Sequence, residues 1–302
     1  MHELRGKKIG VIRGGGGGAH HQSLASGRDI IEALSNLGAT PVDIVLDQND
    51  DILIRGRKVS ATDIMTEIDA LWNATHGYNP IWNELFRTLG VSNFASAVTS
   101  NHVLWKDKVR GLDLSVPKHV DYKSTDEGAA TREIVGAIVP PWIVKTQGKV
   151  KKEYVAGNYV ELIDILRTLK KAGESATVEE YIDGREFVVS MIENFRGKTR
   201  YDLPVLEIVA GASGEEQYLS PKDFSDTEKG ALVDLGALLA EELSLQDFAS
   251  VRVIMTPKKM HIVDIESRPP HHSASPFHAG LRQVGSTLEE FIASRFDRHN
   301  LE

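Results

Sequence analysis

The chain contains no cysteine, which excludes disulfide bridges, thiolate zinc sites and a cysteine nucleophile. It also lacks an excess of basic residues: 35 Lys and Arg against 43 Asp and Glu give a net charge of −8, which argues against a general nucleic-acid binder. No run approaches the roughly 18 to 20 apolar residues of a membrane helix, and the charged N-terminus does not have the pattern of a signal peptide. We therefore expect a cytoplasmic protein that contacts neither nucleic acid nor membrane.

What is present has ordinary globular proportions, with 41% apolar and 26% charged residues in a chain of 302. This length predicts two or three subdomains, because a single core rarely grows beyond roughly 250 residues. In the first third, apolar spacing predicts strands at residues 8–12, 41–46 and 68–74, a helix at residues 23–37 and a small hairpin at residues 52–59. Strands that alternate with helices predict an open, mainly parallel sheet.

Ligands bind such sheets at the carboxyl ends of the strands, where the five glycines of residues 14–18 and His76 both lie. The glycines could cradle an anion on their backbone amides, but they match neither a dinucleotide fingerprint nor a P-loop. The later chain is richer in strands, and Ser225 with Glu228 and Ser286 with Glu289 have the spacing of helix capping boxes.

Three further features are compatible with nucleotide chemistry. Lys145 ends an apolar strand beside the basic stretch of residues 149–152, which suits phosphates, although a solvated strand-end lysine is the commoner interpretation. Two strands meet at the turn of Asp183 and Gly184 and could offer backbone groups to an adenine edge; the alternative is an ordinary hairpin.

The third feature is a pair of carboxylates, Asp264 and Glu266, which lie two apart on a strand and therefore point to one face. Such a pair suits Mg²⁺ bound with phosphates, and two solvated side chains are an equally good interpretation. The nearby His271 and His272 fit no standard metal motif, and we interpret their segment as a loop.

Taken in order, these elements resemble the ATP-grasp superfamily, and most closely the D-alanine–D-alanine ligases. The glycine run followed by Ser23-Leu24-Ala25-Ser26-Gly27, the pair His76-Gly77, the pair Val144-Lys145 and the pair Arg252-Val253 each resemble a family motif. The strongest match is Glu179-Glu180-Tyr181-Ile182 followed by Gly184-Arg185-Glu186-Phe187.

The resemblance implies roles for individual residues. Arg252 would steady the developing oxyanion, and Asp264 and Glu266 would bind Mg²⁺. Gly15, His76 and Ser275 would contact the substrate. ATP would be bound by Lys145, Glu179, Glu180, Tyr181, Ile182, Glu186, Arg268 and His102.

Several positions depart from the family pattern. Ile254 stands where the family has a metal-binding Asp, and Ala19 stands where it has the Glu that holds the substrate amine. The family's lysine at the start of the central lobe aligns with His102, and Lys106 lies one helical turn away.

The resemblance implies an ATP-grasp fold with an N-terminal open parallel α/β domain, a small central lobe and a C-terminal antiparallel-sheet lobe. The expected boundaries are residues 1–95, 96–182 and 183–302. The implied activity is an ATP- and Mg²⁺-dependent carboxylate–amine ligase with an acyl-phosphate intermediate and an amino-acid-like substrate. The family implies a homodimer and a role in peptidoglycan biosynthesis. Two alternatives remain, an ATP-grasp protein without ligase activity that binds nucleotide or a partner, and an unrelated nucleotide-binding domain.

Overall fold

A computed structural model describes residues 4–16, 19–49, 51–76, 102–124, 127–146, 152–211 and 215–298. Within these ranges the strands form three separate sheets, one for each third of the chain.

The first sheet has five strands in the order β4-β3-β2-β1-β5. The strands are β1 (Lys8–Gly14), β2 (Thr40–Leu46), β3 (Ile52–Ile54), β4 (Arg57–Lys58) and β5 (Ala70–Asn73), and the helices are α1 (His20–Asn36) and α2 (Ala61–Glu67). Both β2 and β5 run parallel to β1, and β3 with β4 forms the predicted hairpin. The parallel strands therefore end at one edge, beside the start of α1.

The second sheet is antiparallel, with the order β6-β9-β7-β8. Its strands are β6 (His119–Tyr122), β7 (Trp142–Thr146), β8 (Glu153–Ala156) and β9 (Ala176–Glu180). Helices α4 (Glu127–Ala137) and α5 (Tyr159–Ala172) supply Ile134 and Leu166 to a core that consists entirely of residues from this region.

The third sheet is antiparallel and has the order β13-β12-β10-β14-β15, with β11 added beside β10. Its strands are β10 (Arg185–Phe195), β11 (Lys198–Asp202), β12 (Leu206–Ala210), β13 (Glu216–Leu219), β14 (Phe248–Met255) and β15 (Met260–Glu266). Helix α6 (Asp226–Glu242) covers one face and begins with the predicted capping box of Ser225 and Glu228.

Three helices pack against sheets from other parts of the sequence. Helix α3 (His102–Gly111) inserts Trp105 and Val109 into the core of the third sheet. Helices α7 (Pro276–Gln283) and α8 (Leu288–Arg298) supply Phe277 and Phe291 to the core of the first sheet. The boundaries at residues 95 and 182 remain predictions. The core of the first sheet contains residues from both the N-terminal and the C-terminal parts of the chain, so these two parts are packed together.

The cap of the last helix differs from the one that the sequence predicts. The backbone N–H of Glu290 donates to the Thr287 hydroxyl at 3.2 Å, so Thr287 caps α8. Ser286 instead donates to the Glu290 carboxylate at 2.8 Å. The prediction of Ser286 with Glu289 was therefore wrong by one residue, because a serine and a threonine stand side by side and either satisfies the spacing rule.

Candidate active site

A buried carboxylate lies between two lysines where the central and C-terminal lobes meet. Glu179, near the end of β9, accepts from Lys106 Nζ of α3 at 2.5 Å and from Lys145 Nζ of β7 at 3.0 Å. The side chains of Lys106 and Glu179 are 1% and 5% exposed, whereas that of Lys145 is 35% exposed. Lys106 is therefore a buried structural residue, whereas the Lys145 side chain reaches the solvent-exposed side of the site.

The two lysines differ in electrostatics. Burial lowers the pKa of Lys106, and Glu179 only partly offsets this effect. Burial also disfavours the charge of Lys145, but the carboxylates of Glu179 and Glu153 outweigh it, so the pKa of Lys145 lies above its ordinary value. Burial alone would raise the pKa of Glu179, yet the two ammonium groups hold it below its usual range. Lys145 and Glu179 are therefore both charged at neutral pH, whereas burial works against the charge of Lys106.

The segment that joins the central and C-terminal lobes has two different sides. Neighbouring residues of a strand point to opposite faces, and while Glu179 contacts the lysines, the Glu180 carboxylate accepts from the backbone N–H of Lys118 at 3.3 Å. Glu180, Tyr181 and Ile182 line a cavity of about 560 Å³ together with the β14–β15 turn. Tyr181 is 41% exposed.

Arg252 lies on the third sheet between two carboxylates. Its Nε donates to Glu186 of β10 at 2.9 Å, and its terminal nitrogen donates to Glu216 of β13 at 2.7 Å. The second oxygen of Glu216 accepts from the Tyr218 hydroxyl at 2.7 Å. Burial works against the charge, but Glu186 and Glu216 raise the pKa of Arg252, which is therefore a permanent cation.

Asp264 and Glu266 lie on edge strand β15, in register with Arg252 and Ser250 of β14. The strand carries a bulge beside Arg252, yet both acidic residues stay on the face that bears the guanidinium. Asp264 is near enough to Lys106 and Lys145 for its charge to favour their protonated forms, although the pKa of Lys106 stays lowered by burial. Two carboxylates fit a Mg²⁺ that takes its other ligands from phosphates and water. No group of three or more acidic or histidine side chains suited to a metal occurs among the described residues.

Ser26 of α1 contacts two histidines near the carboxyl edge of the first sheet. The Ser26 hydroxyl lies 3.3 Å from Nε2 of His76 and accepts from the backbone N–H of His271 at 3.1 Å. Burial, followed by the charge of Arg268, lowers the pKa of His76 to about 4. Burial lowers the pKa of Arg268 to about 10. Gly15 donates its N–H to the Leu46 carbonyl at 2.9 Å and has a positive φ of 94°.

The segment with His271 and His272 is a loop, as the sequence predicts, because no helix or strand is assigned between the end of β15 and Pro276. It runs into α7, whose N-cap is Ser275, a 1% exposed residue whose hydroxyl accepts from the His278 N–H at 3.2 Å. His271 is buried against Trp72, Phe248, Phe277 and Phe291. Neither of its ring nitrogens has a hydrogen-bond partner among the described residues, and burial lowers its pKa to about 3. His271 is therefore part of the hydrophobic core, where aromatic residues from distant elements surround it.

Some predicted positions lie outside what the structure describes. The side chain of His102 is one, although the residue begins α3. The basic residues 149–151 are others. Sequence reasoning missed the contact of Glu216 with Arg252 altogether, because a glutamate on a short exposed strand carries no local signal of a partner three strands away.

No protein-family model matches the chain. The D-alanine–D-alanine ligase of Desulforudis audaxviator is 24% identical over 311 residues, covering 95% of this chain and 96% of that protein. The D-alanine–D-alanine ligase of Pseudothermotoga lettingae is 25% identical over 304 residues, covering 94% and 97%.

Solved structures resemble the whole described architecture. The VanG D-Ala:D-Ser ligase of Enterococcus faecalis has a TM-score of 0.76 at 18% identity, covering 98% of this chain and 100% of that one. The D-alanine–D-alanine ligase of Bacillus anthracis complexed with ATP has a TM-score of 0.72 at 18% identity, covering 97% of each chain. The predicted ATP-grasp fold and the resemblance to these ligases are confirmed. No described helix is both long and apolar enough to cross a bilayer.

Proposed function

We propose that this chain, which resembles D-alanine–D-alanine ligases along almost its whole length, is an ATP-dependent ligase that joins the carboxylate of one amino acid to the amine of another. The observation that carries the proposal is the charged group at the junction of the lobes. Glu179 holds Lys106 and Lys145 there, facing Asp264 on the C-terminal lobe. Cations held opposite carboxylates suit a nucleotide triphosphate with its metal.

In this proposal ATP lies between the central and C-terminal lobes. The backbone from Glu180 to Ile182 faces the adenine edge, and Glu186 accepts from the ribose hydroxyls. Lys145, which is partly exposed and stays charged, is the group that reaches the phosphates. Arg268 and the region of His102 complete the phosphate contacts. Lys106 is too deeply buried to move far, so it orients Glu179.

The reaction has two steps. The substrate carboxylate attacks the γ-phosphorus and ADP leaves, which gives an acyl-phosphate; the amine then attacks the carbonyl carbon and inorganic phosphate leaves. Negative charge builds up on the carbonyl oxygen in the second step, and the fixed guanidinium of Arg252 stabilises it. Asp264 and Glu266 would hold Mg²⁺, which when bound neutralises phosphate charge.

In this proposal the substrate binds at the carboxyl edge of the first sheet and contacts Gly15, His76 and Ser275. We assign D-alanine as the first substrate to test, because the similar curated proteins carry that name. With D-alanine, the proposal extends to peptidoglycan and cell-wall biosynthesis in the cytoplasm, and to a homodimer as the family resemblance implies.

One observation favours the second candidate, a nucleotide-binding protein without ligase turnover. Arg252 is already neutralised by Glu186 and Glu216, and Ile254, two residues further along β14, has no side-chain oxygen to offer a metal. A protein of this kind would bind ATP without consuming it.

The test is release of inorganic phosphate from ATP with Mg²⁺, with and without D-alanine and a panel of other amino acids. We expect release that depends on one amino acid, with a dipeptide formed. Lys145→Met should lower kcat/KM for ATP by about 100-fold, in the range typical of losing one charge-stabilising group. Lys171→Met, an exposed lysine at the end of α5, should match the wild type. ATP binding without amino-acid-dependent phosphate release would favour the second candidate.

A further inference from the structure

One guanidinium on the third sheet is shared by carboxylates from two different strands. Glu186 comes from β10, which pairs directly with the strand of Arg252. Glu216 comes from edge strand β13, which is separated from β14 by β12 and β10. The two carboxylates bond to separate nitrogens of Arg252, at 2.9 Å and 2.7 Å.

Glu216 is itself held in place. Its second oxygen accepts from the Tyr218 hydroxyl at 2.7 Å, so each of its oxygens has one short partner. Burial opposes its charge, but Arg252 and Tyr218 together lower the pKa of Glu216, which therefore stays ionised at neutral pH. Burial, and then the hydrogen bond to Glu216, raise the pKa of Tyr218, so the phenol stays protonated and donates to the carboxylate.

The charges of this group are unbalanced. One guanidinium between two carboxylates leaves a net charge of −1, and Asp264 and Glu266 add further negative charge on the same face. An incoming triphosphate or acyl-phosphate carries negative charge as well. Glu216 is therefore an electrostatic competitor of any phosphate-bearing ligand for the guanidinium of Arg252.

We propose that Glu216 is a positioning residue that holds the Arg252 guanidinium on the face of the sheet, and that a phosphate-bearing ligand binds against the repulsion of this carboxylate. This inference rests on the proposed function, because that function gives Arg252 its role in turnover. The contact between Glu216 and Arg252 is observed independently of that function. The inference gives Glu216 two opposite effects. Its charge weakens nucleotide binding, and its hydrogen bond keeps Arg252 in place for the charge that develops during turnover.

The decisive variant is Glu216→Gln, which keeps the size of the side chain and removes its charge. We expect the Kd of an ATP analogue with Mg²⁺, measured by calorimetry, to fall about five-fold, the effect of one partly exposed ion pair. We expect kcat to fall as well, because an amide holds a guanidinium less firmly than a carboxylate does. Replacing a residue that had a merely structural role would not both tighten nucleotide binding and slow turnover.

Two further variants locate the effect. Tyr218→Phe removes the hydrogen bond to Glu216 but leaves its charge, so it should lower kcat by a smaller factor without tightening Kd. Glu207→Gln is the matched control, since this carboxylate lies on neighbouring β12 and pairs with Arg185. It should leave both Kd and kcat at their wild-type values.

Equal Kd values for the wild type and Glu216→Gln would overturn the inference, whether or not the protein is a ligase. A tighter Kd in Glu216→Gln, together with no amino-acid-dependent phosphate release in the wild type, would overturn the ligase proposal and leave the competition of Glu216 with phosphate standing. Absence of nucleotide binding in both proteins would overturn both proposals.

Discussion

His271 is a polar residue in a place that normally holds an apolar one. Its ring stacks on Phe291 with centroids 5.4 Å apart and meets Trp72, Phe248 and Phe277 edge-on or tilted. A buried imidazole without a hydrogen-bond partner stays neutral in the folded state, because protonation would place an unpaired charge among aromatic rings. That makes the folded protein sensitive to acid at this residue.

The pH dependence of stability tests this consequence. The pKa of His271 is lowered to about 3 in the folded state, whereas an unfolded histidine has a pKa of about 6.5. Below pH 6.5 only the unfolded chain takes up the proton, so the stability that is present above pH 6.5 is lost as the pH falls towards 3. His271→Leu should remove about 1.4 kcal/mol per pH unit of this loss, as measured by urea unfolding at pH 7, 6 and 5.

His76, with a lowered pKa of about 4, keeps part of the acid sensitivity in the variant. His21→Gln, an exposed position in α1, is the control and should follow the wild-type profile. If His271→Leu loses stability with falling pH as steeply as the wild type, His271 is not buried neutral.

At the scale of elements, the connection between β9 and β10 passes very close to the end of β14. A Cβ atom on Gly184 would lie 2.5 Å from the Met255 carbonyl oxygen and 2.8 Å from the Ile254 side chain. Both neighbours belong to a central strand of the third sheet, which pairs with β10 and β15 and cannot shift easily. Any side chain at residue 184 would therefore clash with β14, so the glycine of the Asp-Gly pair is needed for close packing as well as for the turn.

Gly184→Ala should lower the free energy of unfolding by about 1–3 kcal/mol, as overpacking of a rigid backbone does. Gly230→Ala is the matched control, because Gly230 lies inside α6 with open space around it. That variant should instead raise the free energy of unfolding by about 0.5–1 kcal/mol through helix propensity. Chemical denaturation measures both, and the same sign for the two variants would contradict this account.

Across the whole molecule, the described cores divide into one shared region and one separate region. The core of the first sheet combines β1 and α1 with Phe248, Phe277 and Phe291 from far along the chain. The core of the central lobe contains only residues from its own elements. The terminal regions should therefore unfold together, and the central lobe should be able to open separately.

Phe291→Ala should cost about 3–5 kcal/mol, because the ring is fully buried and contacts Trp72, Phe248 and Phe277. Native-state hydrogen exchange should show faster exchange in both β1 and β14. Leu166→Ala in α5 is the comparison, and it should speed exchange in β7 and β9 alone. Exchange that changes only in β14 after the Phe291 substitution would show that the outer regions do not share a core.

Much of the local structure could be read from the sequence, since it depends on neighbouring residues. The hairpin of β3 and β4 and the capping box of Ser225 with Glu228 both form as predicted. The cap of α8 could not be decided locally, because Ser286 and Thr287 have the same chemistry and packing selects between them. The His271 segment is a loop as predicted, but its burial could not be predicted locally, because aromatic rings from distant elements surround His271.

The sequence by itself predicted the parallel sheet of the first region and the types of residue available for nucleotide chemistry, because periodicity and spacing are local properties of the chain. The arrangement in three lobes was implied by the resemblance to a known family. Only the tertiary structure decided which charges meet. It paired Glu179 with Lys106, which is 73 residues away, and Arg252 with Glu216, which is 36 residues away. Ion pairs between distant strands depend on sheet order and register. The absence of cysteine is consistent with this result, since the charged groups gathered at the site are lysine, arginine and carboxylates.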